Sequence, residues 1–320
     1  MAAARLRSAS AQVAAAAIAL SLSAGPASAQ TYGFATLPAG SLSHVISSAI
    51  AKAMKEKAGL NVLVQPAAGG NVIVPLVARG EAEIGLVNIM EAQDGLDGGL
   101  KDLRLIGAAQ GLRTPFFVRK DSGMFTVADL KGKRVTMGYS AMRQIDQVTR
   151  AVLASAGLSE TDVRPVLVPN VVRSADDFMA GNADMFFFTF GGPKVREADA
   201  TVGGVRAVKI GETPAGLEAS RKIFPYGYFT EVKPIPAYVG VSEPMRVYSM
   251  DYILFTNSKM KNETVEKIID TMAKNKPDLV AVAPAMNDFS LDSMYRKHTM
   301  TYHPGALKYF QDHKIEAKAY

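Results

Sequence analysis

A regular alternation of strand and helix patterns constrains the fold more than any other feature of this sequence. Three short apolar runs are typical of strands: Thr31–Thr36, Leu60–Ala67 and Ala82–Asn88. Between the first two, Ser41–Lys57 carries apolar residues at three- and four-residue spacing, which predicts a helix ended by Gly59. A second helix should begin at about Val72, because Pro75 is tolerated only near a helix start. This alternation predicts a parallel α/β sheet.

The same pattern restarts later in the chain. Arg134–Tyr139 has the pattern of a strand, and Ala141–Ala156 that of a long helix. Near the end, Val247–Asn257 predicts a strand and Asn262–Lys274 a helix. We therefore predict two α/β lobes: a first lobe built from residues 30–115 and 245–320, and a second from residues 116–244. The crossovers near residues 113–118 and 241–250 would form a hinge.

The N-terminus has the pattern of a secretory signal. Arg5 and Arg7 precede a short run of small apolar residues that ends in Ala-Ser-Ala at Ala29. We predict a signal peptide over residues 1–29 and an exported, periplasmic chain. No later run is apolar and long enough to predict a membrane span. The sequence has no cysteine, which excludes disulfides, thiol catalysis and attachment of a lipid through cysteine.

Charge and motifs favour binding of a small molecule over catalysis. Removing Arg5 and Arg7 lowers the 36 basic residues to 34, against 30 acidic ones, a mild excess that suits an anionic ligand and does not indicate nucleic acid. The four histidines lack metal-ligand spacing, and no Walker or G-x-G-x-x-G motif occurs. Gly138–Met142 resembles the G-x-S-x-G nucleophile elbow, but Met142 replaces the last glycine of that motif. We expect no metal, no cofactor and no enzymatic activity.

Candidate ligand contacts cluster where strands end and helices begin. In an open parallel sheet, ligands bind at the carboxyl ends of strands, where helix N-termini offer unpaired N–H groups. In the first lobe these positions hold Gly40, Ser41, Leu42, Ser43, Gly69, Gly70 and Asn88. In the second lobe they hold Tyr139, Ser140, Ala141, Met142 and Arg143, and the end of an apolar strand offers Phe188, Thr189 or Phe190 as a cleft wall. Two facing sets predict a cleft between the lobes.

Each of these residues also has a purely structural interpretation. Ser41 or Ser43 can simply cap a helix, Gly69 and Gly70 can form a tight turn, and Asn88 can bond a neighbouring loop. We expect Arg143 to be the charged contact of a carboxylate. An arginine in the first turn of a helix opposes the helix dipole, which disfavours a purely structural role there. The sequence predicts that Arg143→Ala weakens binding at least tenfold.

An ordered set of segments resembles a known family. They are "AGSLSHVISSAIAKAM", "VLVQPAAGGNVIVPLVARGEAEIGLVN", "FFVRKDSGMFTVADLKGKRVTMG", "DDFMAGNADMFFFTFGG" and "YHPGALKYF". In this order they are similar to the solute receptors of tripartite ATP-independent periplasmic (TRAP) transporters, in the branch called TAXI. Typical members have a Gly-Thr-Tyr-Tyr-like entrance, whereas this chain has Ser41, Leu42 and Ser43 there.

The resemblance implies a fold and a function. The fold would be the two-lobed periplasmic binding protein fold of the second type, closing over a small organic acid or amino acid. The partners would be the membrane subunits of a TRAP transporter. A sensor that docks on a membrane signalling protein is an alternative, and an enzyme on the same scaffold is a third. Neighbouring genes for TRAP subunits or for a sensor kinase would separate the first two, and turnover of a bound solute would indicate the third.

Overall fold

The computed structural model describes residues 30–319, and the predicted signal peptide at residues 1–29 lies outside this part. Its strands form two separate sheets. In chain order the strands are β1 Thr31–Thr36, β2 Asn61–Pro66, β3 Ile84–Asn88, β4 Leu103–Arg113, β5 Phe116–Arg119, β6 Arg134–Met137, β7 Arg164–Leu167, β8 Met185–Phe187, β9 Val205–Ala207, β10 Tyr228–Val232 and β11 Met245–Asn257.

Helices cover both sheets and join most of their strands. The α-helices are α1 Leu42–Ala58, α2 Gly70–Arg79, α3 Ile89–Asp97, α4 Arg143–Ser155, α5 Val171–Met179, α6 Pro193–Val202, α7 Pro214–Ile223, α8 Asn262–Lys274, α9 Lys276–Val282, α10 Leu291–Met294 and α11 Pro304–Asp312. Short 3₁₀ helices lie at Val127–Leu130, Glu160–Asp162 and Pro284–Asp288. Within residues 30–319, none of the helices is both long enough and apolar enough to cross a membrane.

The first sheet has the order β10-β11-β3-β1-β2, and β4 also pairs with β11. β1 runs parallel to β3, with Phe34 opposite Ile84, whereas β11 runs antiparallel to both β3 and β4. Its central strands are buried on both faces because helices cover the sheet, as expected for parallel α/β units. We call the part built on this sheet the first lobe.

The second sheet has the order β7-β6-β8-β5-β9. β6 is parallel to β7 and β8, while β5 is antiparallel to β8 and β9. We call the part built on this sheet the second lobe, and the prediction of two α/β lobes agrees with the two sheets. β10 lies inside the range 116–244 predicted for the second lobe, and it pairs with β11 in the first sheet.

Local chemistry explains where α1 begins and ends. The Ser41 side chain accepts a hydrogen bond from the backbone N–H of His44, which satisfies one of the free donors of the first turn. Gly59 ends the helix with φ 66°, a left-handed conformation that glycine adopts without steric cost. Between these caps Ile46, Ile50 and Met54 are fully buried. This spacing is the one that predicted the helix.

Two local predictions differ from the structure. α2 begins at Gly70, before the start that Pro75 predicted, so Pro75 lies inside the helix, where it lacks the N–H for one hydrogen bond and its ring crowds the Asn71 carbonyl. α4 begins at Arg143, two residues after the predicted start at Ala141. Residues 138–142 instead form a turn in which Gly138 and Tyr139 have positive φ angles of 82° and 27°.

Candidate functional site

A small, partly open cavity of about 40 Å³ lies between the two lobes. Strand ends, helix starts and β11 contribute its walls. They are formed by Leu37, Ser41, Leu42, Asn88, Glu91, Leu112, Thr114, Met142, Ile145, Val171, Phe187, Phe188, Thr189 and Tyr252. At roughly 10–15 Å³ for each water site, it has room for about three water-sized groups. A larger ligand therefore requires the lobes to separate slightly.

A depression of about 200 Å³ lies on the first lobe, beside Gln110, Tyr228 and Arg296, and two larger ones lie on the second lobe. One of about 500 Å³ is lined mostly by small residues of 154–157 and 210–219, and another of about 530 Å³ lies beside Gly203 and Gly240. Both are open surface depressions away from the strand ends. The interlobe cavity is smaller, but it collects buried polar side chains from both lobes, and we take it as the candidate site.

The start of α1 forms one wall of the cavity. Ser41 is 1% exposed, and its Oγ lies 3.1 Å from the N–H that it accepts. Because the oxygen is used as an acceptor, the hydroxyl proton can be donated to another group. Leu42 also lines the cavity. Ser43 instead donates to the Leu86 carbonyl at 3.1 Å and pairs with Thr36, which ties α1 to the sheet.

Asn88 and Glu91 form a reciprocal cap at the start of α3. Asn88 Oδ1 accepts from the Glu91 N–H at 3.0 Å, and Glu91 Oε2 accepts from the Asn88 N–H at 3.4 Å. Both residues line the cavity. Glu91 is 3% exposed, and its Oε1 is buried and meets no partner in hydrogen-bond geometry within the described residues. This carboxyl group is the least satisfied polar group of the cavity wall.

Burial raises the pKa of Glu91 to about 8. The backbone N–H groups of Asn88 and Gly70 oppose this rise because they stabilise the ionised form, whereas the negative charge of Asp94 adds to it. The cost of removing the carboxylate from water exceeds both backbone contributions. Glu91 is therefore mainly protonated at neutral pH in this closed form.

Gly69 and Gly70 allow two close approaches at the start of α2. A Cβ atom on Gly69 would lie 2.0 Å from the Ala141 carbonyl oxygen of the second lobe, and one on Gly70 would lie 2.2 Å from Cδ of Glu91. Next to them, the Asn71 side chain donates to the Ser140 carbonyl at 3.2 Å. Gly69, Gly70, Ser140 and Ala141 thus surround the cavity without lining it.

A further contact closes the opposite side of the cleft. The backbone N–H of Lys194, at the start of α6, donates to the Gly40 carbonyl at 3.2 Å. Gly40 has φ 88° and the aliphatic part of the Lys194 side chain lies beside it. Gly40 therefore contacts the other lobe, whereas its neighbours Ser41 and Leu42 face the cavity.

The turn at residues 138–142 and the start of α4 place the predicted second-lobe contacts in different surroundings. The Tyr139 hydroxyl is buried in the second lobe, 2.9 Å from Thr136 and 3.2 Å from Ser174, and burial raises its pKa to about 12. Met142 lines the cavity, whereas Arg143 is exposed and lies outside it. The next residue, Gln144, is 1% exposed and donates to Asp94 of the first lobe.

Phe188 and Phe190 have different surroundings. Phe188 lines the cavity together with Thr189, whose hydroxyl donates to the Arg113 carbonyl at 3.1 Å. Phe190 stacks on Tyr238 with ring centroids 4.8 Å apart, and it lies outside the cavity. The strand end after β8 therefore supplies one aromatic wall and one aromatic contact near the hinge.

Five predicted residues come together in the cavity: Ser41, Leu42, Asn88, Met142 and Phe188. Thr189, which the sequence offers as a cleft wall beside Phe188 and Phe190, also lines the cavity, whereas sequence reasoning missed Glu91, Thr114 and Tyr252. A signal existed for Glu91, since an asparagine followed three residues later by glutamate is the pattern of a helix cap. Among the described residues that line the cavity, none is lysine, arginine or histidine. The walls therefore offer hydrogen bonds and apolar surface without a positive charge.

A model of the NMT1-like family matches residues 34–313 of this chain. Among solved structures, similarity extends to the periplasmic sulfonate-binding protein SsuA of Methylobacillus flagellatus KT, with 14% identity, 91% of this chain and 97% of that chain covered, and a TM-score of 0.53. PhnD1 of Prochlorococcus marinus, in complex with methylphosphonate, has 10% identity, 89% and 99% coverage, and a TM-score of 0.56. The aliphatic sulphonate binding protein SsuA of Escherichia coli has 15% identity, 89% and 87% coverage, and a TM-score of 0.50.

At these identities the likeness concerns the fold. The two sheets, their flanking helices and the connecting strands form the two-lobed fold of type II periplasmic binding proteins, so the predicted fold class is confirmed. In folds of this kind a function must be argued from the site itself.

Proposed function

The chain belongs to the NMT1-like family, and from this premise we propose that it is a non-catalytic periplasmic solute-binding protein. It binds a small organic anion or amino acid between its lobes and delivers the solute to a membrane transporter. The observation that carries this proposal is the interlobe cavity, whose walls combine buried polar groups from both lobes with apolar surface. The predicted signal peptide supports export, and the resemblance to TRAP receptors supports the periplasm as the location.

The ligand contacts that we propose are the five predicted residues in the cavity together with Glu91, Thr114, Thr189 and Tyr252. The α1 N-terminus and the Ser41 hydroxyl offer donors to a ligand oxygen. Leu42, Met142 and Phe188 offer apolar surface to the ligand's carbon atoms. The site is supported from outside the cavity by Gly40, Ser43, Gly69, Gly70, Tyr139, Ser140, Ala141 and Phe190. Arg143, exposed outside the cavity, is not among the ligand contacts that we propose.

The membrane partner that we propose is a TRAP-type secondary transporter of the TAXI kind. This proposal rests on the ordered segments that resemble TAXI receptors. Delivery to an ABC transporter is the second candidate, because the sulfonate-binding protein of Methylobacillus flagellatus KT with the same fold is described as part of an ABC transporter. Uptake of the identified solute into vesicles with each class of membrane subunits distinguishes the two candidates.

The central test is to identify the solute. Protein purified from the periplasm is denatured, the released compound is identified by mass spectrometry, and its binding to refolded protein is measured by calorimetry. We expect one small organic acid or amino acid bound at a 1:1 ratio without turnover. Recovery of a nucleic acid or a metal ion, or chemical conversion of the bound solute, would contradict the proposal.

A further inference from the structure

The interlobe cavity is lined by an acidic residue, although a site for an anionic ligand would be expected to carry a positive charge. Glu91 lines the wall, and none of the described lining residues carries a positive charge. Burying an anion without a counter-charge is costly unless hydrogen-bond donors surround it. If Glu91 were ionised, it would add a second negative charge beside the anion.

Other polar groups on the wall are available as donors. The Ser41 oxygen already accepts from the His44 N–H, so its hydroxyl proton is free to face a ligand. Asn88 uses Oδ1 to cap α3, which leaves its amide nitrogen as the donor. Such a set fits oxygen atoms of a ligand better than an ammonium group, which needs acceptors.

The geometry of the carboxyl group completes this set. Glu91 lines the cavity, its Oε2 accepts from the Asn88 N–H, and its buried Oε1 lies beside Gly70 without a partner in hydrogen-bond geometry. A proton on Oε1 turns an unsatisfied acceptor into a donor. The raised pKa of Glu91, about 8, agrees with a proton held at neutral pH.

We propose that Glu91 is protonated in the closed protein and donates a hydrogen bond from Oε1 to an oxygen of the ligand's anionic group. The ligand class is thus an organic oxyanion held by neutral donors, with one proton retained by the protein on closure. The inference rests on the proposed function, since it concerns the same cavity. No proton is transferred to the ligand.

The groups around Glu91 are consistent with this state. Asp94, on the same helix, raises its pKa, and Tyr252 of β11 is kept neutral because burial raises the hydroxyl pKa well above its usual value. The remaining neighbours are uncharged: Gly70 of α2, Asn88 of β3 and the capping residue Ser41. Across the cleft, the neutral Gln144 of α4 donates to Asp94.

The binding test uses probes of matched size and different charge: butyrate, succinate and glutamate as anions, butyramide as a neutral compound and butylammonium as a cation. Calorimetry measures affinity from pH 6 to pH 9.5. We expect an anionic probe to bind roughly 30-fold more weakly at pH 9.5 than at pH 7, since ionisation of a group with a pKa near 8 lowers affinity about tenfold per pH unit.

Two variants make the test specific. Glu91→Gln keeps a donor that cannot ionise, so we expect up to tenfold weaker binding at pH 7 with no loss between pH 7 and pH 9.5. Glu263→Gln removes an exposed carboxyl group from α8 and should follow the unmodified protein. A pH-independent affinity in the unmodified protein, or preferential binding of butylammonium, would overturn the proposal.

Infrared difference spectra between the unmodified protein and Glu91→Gln test the proton without relying on any probe. We expect a protonated carboxylic acid signal at pH 7 that disappears above pH 8. An ionised Glu91 at pH 7, both with and without probes, would refute the inference. Failure of every probe to bind, with the infrared signal present, would instead reject the proposed function and leave the protonated Glu91 standing.

Discussion

Residue by residue, the caps of the first-lobe helices are also the polar groups of the cavity. Ser41 caps α1 and Asn88 caps α3, and both line the wall. Capping a helix and contacting a ligand at a helix start both require a polar side chain beside the free N–H groups of that start. The structural and the functional interpretations of these residues are therefore compatible.

The proton on Glu91 should leave a signature in the pH dependence of stability. Its pKa of about 8 in the folded protein is above the ordinary value of 4.5. The contribution of Glu91 to the free energy of unfolding is then fully present below pH 4.5. It is lost as the pH rises towards 8, by about 1.4 kcal/mol for each pH unit. Glu91→Gln lacks this loss. We expect its free energy of unfolding, relative to the unmodified protein, to improve by up to about 4 kcal/mol from pH 5 to pH 8.

Urea unfolding at pH 5 and pH 8 measures this difference. Glu263→Gln serves as the control, because its carboxyl group is exposed and should show no such change between the two pH values. A constant difference between Glu91→Gln and the unmodified protein would show that Glu91 titrates normally.

Arg143 offers a sharp contrast between sequence and structure. The sequence predicts at least tenfold weaker binding for Arg143→Ala, whereas its exposed position outside the cavity leads us to expect a change below about twofold. The next residue, Gln144, is buried against Asp94, so we expect Gln144→Ala to have the larger effect. Calorimetry with the identified solute measures both, and a tenfold loss for Arg143→Ala would restore it to the site.

At the scale of elements, β11 both holds the first sheet together and contributes a residue to the cavity. It pairs with β3, β4 and β10, and it places Tyr252 opposite Asn88 at the cavity. One residue earlier, Asp251 is fully buried on the strand's other side. Its carboxylate accepts from the Tyr228 hydroxyl at 2.9 Å and lies 3.2 Å from Nε2 of His298 and 3.4 Å from Nε of Arg296.

Replacing Asp251 by alanine should destabilise the protein by about 3 kcal/mol or more, since it leaves buried polar partners without their acceptor. Asp292→Ala is the matched control. It removes an exposed carboxylate 3.7 Å from Lys318, and we expect a change within about 0.5 kcal/mol. Chemical denaturation measures both free energies. Equal stability of the two variants would show that this buried cluster contributes little.

The sequence predicts elements well where their pattern is local. β1 has the predicted bounds, and α1 follows its apolar spacing and its glycine stop. The pairing of β10 with β11 depends on contacts between distant segments, for which no local pattern exists. Gln144 faces inward and Arg143 outward because consecutive residues of a helix point about 100° apart, and the sequence pattern did not show which of the two faces the other lobe.

The location of the site was also predictable, but its chemistry was less so. Helix starts at strand ends predicted the positions of Ser41 and Asn88. The protonation of Glu91 arises from its burial at the interlobe cavity, which no spacing along the chain reveals. Its cap pattern alone would have suggested an ordinary ionised glutamate.

For the whole molecule, closure depends on backbone contacts between the lobes. At α2, the Asn71 N–H lies 3.4 Å from the Ala141 carbonyl, and at α6 the Lys194 N–H donates to the Gly40 carbonyl. Backbone groups meet only when nothing bulky separates the chains, and Gly69 provides that space at Ala141. The lobes can therefore approach closely enough to leave only about 40 Å³ between them at the cavity.

Gly69→Ala should prevent this closure. Its Cβ would lie 2.0 Å from the Ala141 carbonyl oxygen, and backbone offers no flexible side chain that could move away. The φ of Gly69, 177°, is extended and open to any residue, so the first lobe itself should fold normally. An overpacking cost of roughly 1–3 kcal/mol in the closed form corresponds to about 10- to 100-fold weaker binding.

Calorimetry and small-angle X-ray scattering with the identified solute test this expectation together. The unmodified protein should become more compact on binding, whereas Gly69→Ala should bind weakly and keep its ligand-free dimensions. Ala68→Ser enlarges an exposed neighbour in the same turn and should behave as the unmodified protein does. Because the alanine acts only on the closed form, its thermal unfolding without ligand should match that of Ala68→Ser. Full affinity with normal compaction in Gly69→Ala would show that closure does not require this contact.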